Sequence, residues 1–338
     1  MSINPIEIPT GAVRYNTDSN RMEVYIGDTW MEVAVSSPNL AESGDASVGA
    51  RGIFAGGAEP AHSEIIQAFN LASNGDTFDF GNLSNNRYYI AGASSRTRAV
   101  WMGGNEGSGY VDTIEFNTIS SLGDATAFGE LIGTDRHFGA GFANQTRGIM
   151  AGGESPGKTN QIEFITIAST GDSVDFGDLS GARSTNTGFA SPTRGISAGG
   201  TEPTHVNTID FVTIATTGNA EDFGDQTESV YGGGGGGNAT RGIMMGGYGS
   251  DQSNSIQFVT IATTGNTVDF GDLTQARRYG ATCSSPVRAV YCGGLFPAIS
   301  NVMDSINIAT QGDAVDFGDL FDHHFAIPNG CSNAHGGL

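Results

Sequence analysis

The stretch TRGIMAGG at residues 146–153 is one of six copies of the same short pattern in this chain. In each copy an arginine is followed by a short apolar run and then by Gly-Gly. These anchor arginines are Arg51, Arg98, Arg147, Arg194, Arg241 and Arg288, and successive members lie 47 to 49 residues apart. A fixed period of this length indicates a repeat architecture, in which each copy is one supersecondary unit.

Each repeat contains the patterns of four short strands, which we label a, b, c and d. Strand b ends at the Gly-Gly pair, and strand c is an apolar alternation such as IEFITIAS at 162–169. The sequence Thr-Gly-Asp at 170–172 predicts a tight turn, because glycine supplies a positive φ there. Strand d follows as VDFGDL at 174–179, and a stretch of small residues provides strand a of the next repeat.

Four strands per repeat and no helical pattern predict an all-β protein, a six-bladed β-propeller of four-stranded blades with a repeat of about 47 residues. The repeats resemble kelch repeats, in which an arginine on strand a precedes an apolar strand ending in Gly-Gly. Four arginines lie eleven residues before an anchor arginine, at about that position: Arg87, Arg136, Arg183 and Arg277. The chain departs from the family by carrying mostly phenylalanine where kelch repeats have tyrosine on strand c and tryptophan on strand d.

The C-terminal segment 325–338 matches the small-residue stretch that precedes the other anchors, with Gly330 aligned over Gly188. Segment 40–50 lacks a comparable alternation. We therefore expect the propeller domain to span residues 40–338, with its last strand completing the first blade beside Arg51. A ring closed in this way leaves no free sheet edge.

Residues 1–39 lie outside the repeats and predict a small β-hairpin module with the sequence PTGAVRYNTDSNRMEVYIGDTWMEVAV at 9–35. This segment resembles a short module of tailed-bacteriophage fibre and other virion proteins. There it ties an appendage to the particle or to its own trimer. The resemblance implies attachment or self-association through Arg14, Tyr15, Tyr25 and Trp30, because so small a sheet is marginal alone. The alternative is a hairpin that simply packs on the propeller.

The charge balance excludes several classes of partner. Asp and Glu total 36 against 15 Lys and Arg, which gives a net charge of −21, and Lys158 is the one lysine. So few basic residues cannot build a phosphate-tracking face, so we expect no nucleic-acid binding. No apolar run is long enough to cross a bilayer and no signal peptide is visible, so we expect no membrane insertion.

Catalytic patterns are missing from the sequence, and we expect neither enzymatic activity nor a cofactor. His62 and His205 occupy equivalent loops three repeats apart, too far apart in a six-membered ring to share a metal. Asp172, Asp175 and Asp178 have a spacing that could suit calcium. The sixth repeat keeps this set as Asp313, Asp316 and Asp319, but the second and fourth repeats do not. We therefore favour turn residues and arginine-paired carboxylates, and we predict no metal site.

The repeated arginines and aspartates further predict a ring of ion pairs between blades, which would fix register more than it adds stability. The three cysteines, Cys283, Cys292 and Cys331, are expected to be buried free thiols.

The loops after Gly-Gly differ in every repeat, whereas the c–d connection hardly varies. Variable loops on a rigid scaffold are where binding usually lies. The binding residues predicted on this basis are Glu59, His62, Tyr110, Lys158, Glu202, His205, Tyr248, Asp251 and Phe296.

Three functions fit the sequence. The first is a virion structural protein, a phage appendage assembled in the host cytoplasm. It would bind other virion proteins and itself through residues 1–39 and present the propeller to a host surface glycan or protein. The second is a cellular kelch-type protein–protein interaction module. The third is a propeller enzyme acting on polysaccharide, which the missing catalytic pattern disfavours.

Overall fold

Short runs of apolar and β-branched residues separated by glycine-rich turns form antiparallel strands throughout the part of the chain that the computed structural model describes. The described residues are 12–16, 21–26, 29–32, 51–58, 62–133, 135–295, 297–322 and 330–338. Every regular element among them is a β-strand, which confirms the all-β prediction. The chain divides into two units, Met1–Glu42 and Ser43–Leu338.

In the second unit the described residues form six four-stranded antiparallel sheets, here called sheets 1 to 6 in the order of their anchor arginines. The b strands are Arg51–Ala55, Arg98–Met102, Arg147–Ala151, Arg194–Ala198, Arg241–Met245 and Arg288–Cys292. The c strands are Ile65–Asn70, Thr113–Thr118, Gln161–Thr166, Thr208–Thr213, Ser255–Thr260 and Val302–Asn307. The d strands are Phe78–Asn82, Thr126–Glu130, Val174–Asp178, Glu221–Asp225, Val268–Asp272 and Val315–Asp319.

Strand a of each sheet pairs with strand b of the same sheet. In sheets 2 to 6 the a strands are Ala91–Ser94, Ala140–Ala143, Thr187–Ala190, Gly234–Gly237 and Ala281–Ser284. In sheet 1 strand a is Cys331–Ser332 from the C-terminus, where Cys331 pairs with Ile53. A two-stranded hairpin, Thr201–Glu202 with Thr204–His205, lies in the b–c loop of sheet 4.

The hydrophobic core consists of six layers, each shared by two neighbouring sheets. Trp101 of sheet 2, for example, packs in one layer with Ile53 of sheet 1, and Phe54 of sheet 1 packs in another with Val290 of sheet 6. The a strands also contact one another in cyclic order. The b strand of each sheet is therefore buried on both faces, which explains why it is apolar at almost every position.

The anchor arginines link neighbouring sheets through hydrogen bonds to carbonyl oxygens. Each guanidinium donates at 2.7 to 3.3 Å to the carbonyl of the residue that follows strand c of the next sheet. Arg51 of sheet 1, for example, donates to Ile119 of sheet 2, and Arg288 of sheet 6 donates to Leu71 of sheet 1. In sheets 2 to 5 it also lies over the phenylalanine of its own strand c, as Arg98 does over Phe116 at 4.4 Å. The predicted ring of inter-sheet ion pairs is therefore wrong for these arginines, because the partner is a backbone dipole.

The repeated Gly-Asp or Gly-Asn pair also joins neighbouring sheets. The Gly171 amide donates to the Phe128 carbonyl of the preceding sheet at 2.8 Å, and the Asp172 carboxylate accepts from the Glu130 amide at 3.0 Å. Equivalent bonds recur at all six junctions, including the one from sheet 1 to sheet 6. The connection is longer than the predicted tight turn, because strand c ends at Thr166 and seven residues precede strand d, but Gly171 has the predicted positive φ.

A second class of arginine forms ion pairs buried inside single sheets. Arg87, Arg136, Arg183 and Arg277 are fully buried and lie before strand a rather than on it. They pair with Glu115, Glu163, Asp210 and Asp304 of strand c in the same sheet. Sheet 5 has Val230 and Gln257 at the two equivalent positions, so both charges are absent together.

The first unit contains one three-stranded antiparallel sheet of Val13–Asn16, Arg21–Ile26 and Thr29–Glu32. On one face Arg14 lies over the Trp30 ring at 4.2 Å, and Tyr25 packs on the same ring at 5.3 Å. Tyr15 alternates to the opposite face, which is apolar and whose side chains are about half exposed. The structure therefore separates Tyr15 from the other three predicted attachment residues.

Candidate binding surface

The d–a loops of sheets 2 to 6 each hold one residue in the left-handed backbone region. These collar residues are Tyr89, Phe138, Thr185, Gly232 and Tyr279, with φ between 58° and 65°. Each lies two residues before strand a. From Phe138 onward, the amide of each collar residue donates to the carbonyl of the preceding one at 2.6 to 3.1 Å. A bulky residue in this region costs of order 1–3 kcal/mol, and such strain clusters at functional sites.

Three of the collar side chains are aromatic and pack together although they come from different sheets. The Tyr89 and Phe138 ring centroids are 3.6 Å apart, and Tyr89 and Tyr279 are 5.7 Å apart. Tyr231, which precedes Gly232, is 6.0 Å from Tyr279. All of these rings remain partly exposed, so together they form an aromatic surface rather than a sealed core.

The b–c loops add a second row of rings to this surface. His62 stacks on Tyr88 with centroids 4.5 Å apart, and Tyr110 stacks on His137 at 4.1 Å. His205 packs against Tyr231 at 4.7 Å.

Tyr248 lies 5.6 Å from Tyr231, in the same row. The structure thus brings together four of the predicted binding residues, His62, Tyr110, His205 and Tyr248. It joins them to d–a loop rings that sequence reasoning did not select.

Arg278 is the cation of the aromatic surface. Its guanidinium lies over the rings of Tyr248 at 4.7 Å and Tyr279 at 5.2 Å, and Nη1 donates to the Tyr231 hydroxyl at 3.1 Å. Its Nε has no hydrogen-bond partner among the described residues. One face of each of these two rings is therefore already occupied by a cation of the protein itself.

Burial favours the neutral form of three ionisable groups of this surface, Tyr89, Tyr279 and His137. Desolvation raises the pKa of Tyr89 to about 12, with a smaller contribution from Tyr88. It raises the pKa of Tyr279 and lowers that of His137. At neutral pH these three side chains are uncharged, so the rings act through shape, stacking and hydrogen bonding rather than through proton transfer.

The buried ion pairs hold the d–a loops in position beneath the rings. Arg87 lies two residues before Tyr89, pairs with Glu115 and donates to the carbonyl oxygens of Gly103 and Thr113, both at 3.1 Å. Such a multiply bonded group fixes the backbone of the loop, which supports the strained conformation of the next residues. The surface is therefore preorganised by residues that do not belong to it.

The remaining predicted binding residues lie away from the ring contacts. Lys158 is half-buried, and its backbone forms an isolated β-bridge with that of Glu154. Glu202 lies in the small hairpin, and its carboxylate is close to Gly181. Asp251 is exposed and accepts a hydrogen bond from the Gln252 amide at 2.7 Å. The predicted residues Glu59 and Phe296 lie outside the described residues.

A polar groove of about 700 Å³ lies in sheet 5 next to this surface. Residues 249–255 of the b–c loop line it, together with Glu228, Ser229 and Asp272. Tyr248 immediately precedes the loop, so the aromatic row ends where the groove begins. The buried Gln252 Oε1 has no hydrogen-bond partner among the described residues.

A narrow cavity of about 40 Å³ lies among the a strands. The C-terminal residues His335 and Gly336 contribute to its lining. His335 is partly buried, its Nε2 lies 2.7 Å from the Ser94 carbonyl oxygen, and its Nδ1 accepts from the Gly337 amide at 3.0 Å. Burial lowers its pKa to about 4.

No family model matches the chain, and a search of the curated proteins found no match. Within the described ranges no three His, Cys, Asp or Glu side chains are grouped to hold a metal ion. The same ranges contain no helix that is long and apolar enough to span a membrane. The three cysteines are buried and free, as expected.

Proposed function

We propose that the six sheets are the blades of a kelch-like β-propeller closed by its C-terminal strand. Three sets of contacts support this, because each runs through all six junctions in cyclic order: the anchor arginines, the Gly-Asp or Gly-Asn turns and the shared apolar layers. In a propeller the d–a and b–c loops lie on one face. The stacking of His62 on Tyr88 and of Tyr110 on His137 joins these two loop classes.

On this scaffold the chain is a non-enzymatic recognition protein whose ligand binds the aromatic surface. The observation that carries this proposal is the set of partly exposed rings mounted on strained collar residues, Tyr89, Phe138 and Tyr279. Packing alone does not require bulky residues there, because the same position is Gly232 in sheet 5. Rigid aromatic side chains give contact area at low cost in conformational entropy.

The setting that we propose is a phage virion, with the first unit as the attachment module. The resemblance of residues 9–35 to virion modules supports this, and so does the exposed apolar face of the three-stranded sheet. Val13, Ile26 and Met31 on that face are 58%, 47% and 54% exposed. A sheet this small gains stability when such a face is covered by another chain. Of the predicted attachment residues, Tyr15 lies on this face, and Arg14, Tyr25 and Trp30 lie on the opposite one.

A screen of the labelled full chain against arrays of glycans and of peptides tests the recognition function. We expect a ligand whose binding is lost in Tyr88→Ala, Tyr110→Ala or Tyr248→Ala. Leu122→Ala is the matched control, because Leu122 is 58% exposed in the c–d connection of sheet 2. Ligand binding that none of the three tyrosine variants weakens would contradict the proposal.

The solution mass of the full chain and of a 43–338 fragment tests the attachment role. We expect an oligomer for the full chain and a monomer for the fragment, measured by light scattering. A monomeric full chain whose mass does not change on mixing with other virion proteins would favour the cellular interaction module instead.

A further inference from the structure

The groove of sheet 5 has the chemistry of a site for polyhydroxylated ligands. Side chains that line it are serine hydroxyls, the amides of Gln252 and Asn254, and the carboxylates of Glu228, Asp251 and Asp272. None of its lining residues carries an apolar side chain. Its volume of about 700 Å³ lies within the usual range of about 300–1,000 Å³ for small-ligand sites.

An aromatic platform lies directly beside these polar groups. Tyr248 immediately precedes the loop 249–255 that lines the groove. Tyr231 lies two residues after Ser229, which lines the groove from the d–a loop. The two rings are 5.6 Å apart, and His205 packs on both. Hydroxyl, amide and carboxylate groups next to half-exposed rings match a molecule with polar edges and apolar C–H faces, which is the character of a sugar ring.

The charges and the lining of the groove disfavour three other classes of ligand. Three carboxylates line it and the chain has a net charge of −21, so an anionic glycan would be repelled. A cationic ligand gains little from the rings, because the Arg278 guanidinium already lies over Tyr248 and Tyr279. A peptide ligand would need an apolar pocket for its anchor side chains, and the groove has none among its lining residues.

We propose that this groove, together with Tyr248, binds a neutral oligosaccharide. Sugar hydroxyls donate to the exposed Asp251 carboxylate, while the C–H face of one pyranose ring packs on the face of the Tyr248 ring that Arg278 leaves open. This inference deepens the proposed function and rests on it, since it names the ligand class of the same surface.

Calorimetric titration of the full chain with neutral hexasaccharides of glucose, mannose, galactose and N-acetylglucosamine tests the proposal. We expect at least one of them to bind. The variants Tyr248→Ala and Asp251→Ala should each weaken that binding about tenfold or more, which corresponds to at least about 1.4 kcal/mol. Tyr248→Phe keeps the ring and should retain affinity within about threefold, and Leu122→Ala should leave it unchanged.

The same titrations with hexagalacturonate and with a proline-rich decapeptide separate the two proposals. Binding of either probe that depends on Tyr248, with no neutral hexasaccharide bound, would overturn the oligosaccharide assignment and leave the recognition function standing. Neutral-sugar binding that survives both Tyr248→Ala and Asp251→Ala would also overturn it. If no probe of any class binds, both proposals fail.

Discussion

Replacing Arg136 by valine should test how the buried ion pairs stabilise the sheets. Arg136 Nη2 lies 2.7 Å from Glu163 Oε1, and both side chains are fully buried. The valine variant leaves the Glu163 carboxylate without its counter-charge, which should lower the free energy of unfolding by about 3–5 kcal/mol. Glu163→Gln alone leaves the guanidinium unpaired and should cost about 3 kcal/mol.

The double variant Arg136→Val with Glu163→Gln should cost less than either single change, about 1–2 kcal/mol for the lost packing of the arginine stem. Sheet 5 already has valine and glutamine at the two equivalent positions, Val230 and Gln257. Gln257 Oε1 accepts from the Thr227 amide at 3.0 Å and the Thr267 hydroxyl at 2.6 Å. Glu163 Oε2 accepts from the Ile132 amide and the Ser173 hydroxyl in the same way.

Urea unfolding followed by far-ultraviolet circular dichroism measures all three variants. The reverse change, Gln257→Glu beside Val230, is the matched control and should destabilise by about 3 kcal/mol, because it buries a carboxylate without a cation. If the cost of the double variant equals or exceeds the sum of the two single costs, the charges are not coupled and this account is wrong.

Two further predictions concern the C-terminus and the sheet junctions. Unfolded histidine has a pKa near 6.5 and His335 in the folded protein one of about 4, so stability should be full above about pH 6.5 and fall by about 3 kcal/mol as the pH drops to 4. Unfolding of His335→Gln across this range should lack that component, and an unchanged pH profile would refute it. Gly318→Ala should destabilise by about 2 kcal/mol more than Gly75→Ala in thermal unfolding. Both glycines have φ near 155°, but an alanine Cβ at Gly318 would lie 2.5 Å from the Gly75 carbonyl oxygen, whereas Gly75 has open space around it. Equal losses would show that the close approach carries no energy.

Much of the fold could be predicted because its determinants are local and repeated. The anchor motif, the alternation on strand c and the Asp-Phe-Gly of strand d each consist of a few consecutive residues, and they recur every 47 to 49 residues. Strand positions follow from such patterns, as the observed Val174–Asp178 shows for VDFGDL. Even the run Gly234–Gly237, which has no side chains to form an alternating pattern, is strand a of sheet 5.

The tertiary structure decides which group each repeated arginine binds. Two arginines eleven residues apart, such as Arg136 and Arg147, look alike in sequence. Arg136 forms a buried ion pair with Glu163, whereas Arg147 donates to the Ile214 carbonyl of the next sheet. Their surroundings are built by segments far away in the chain, so no local pattern separates them. The simultaneous loss of arginine and acid in sheet 5 was the available signal for the pairing.

The sequence by itself determined the strands, the repeat and the variability of the b–c loops, because these depend on residues that are neighbours in the chain. Only the tertiary structure decided that Tyr89, Phe138 and Tyr279 belong to one aromatic surface. Each stands alone in its own repeat, about 50 or more residues from the next. Tyr89 and Phe138 meet across neighbouring sheets, and Tyr279 reaches them from sheet 6 although sheet 1 lies between. The a strands contact one another in cyclic order, so the d–a loops that precede them converge even from sheets that are not neighbours.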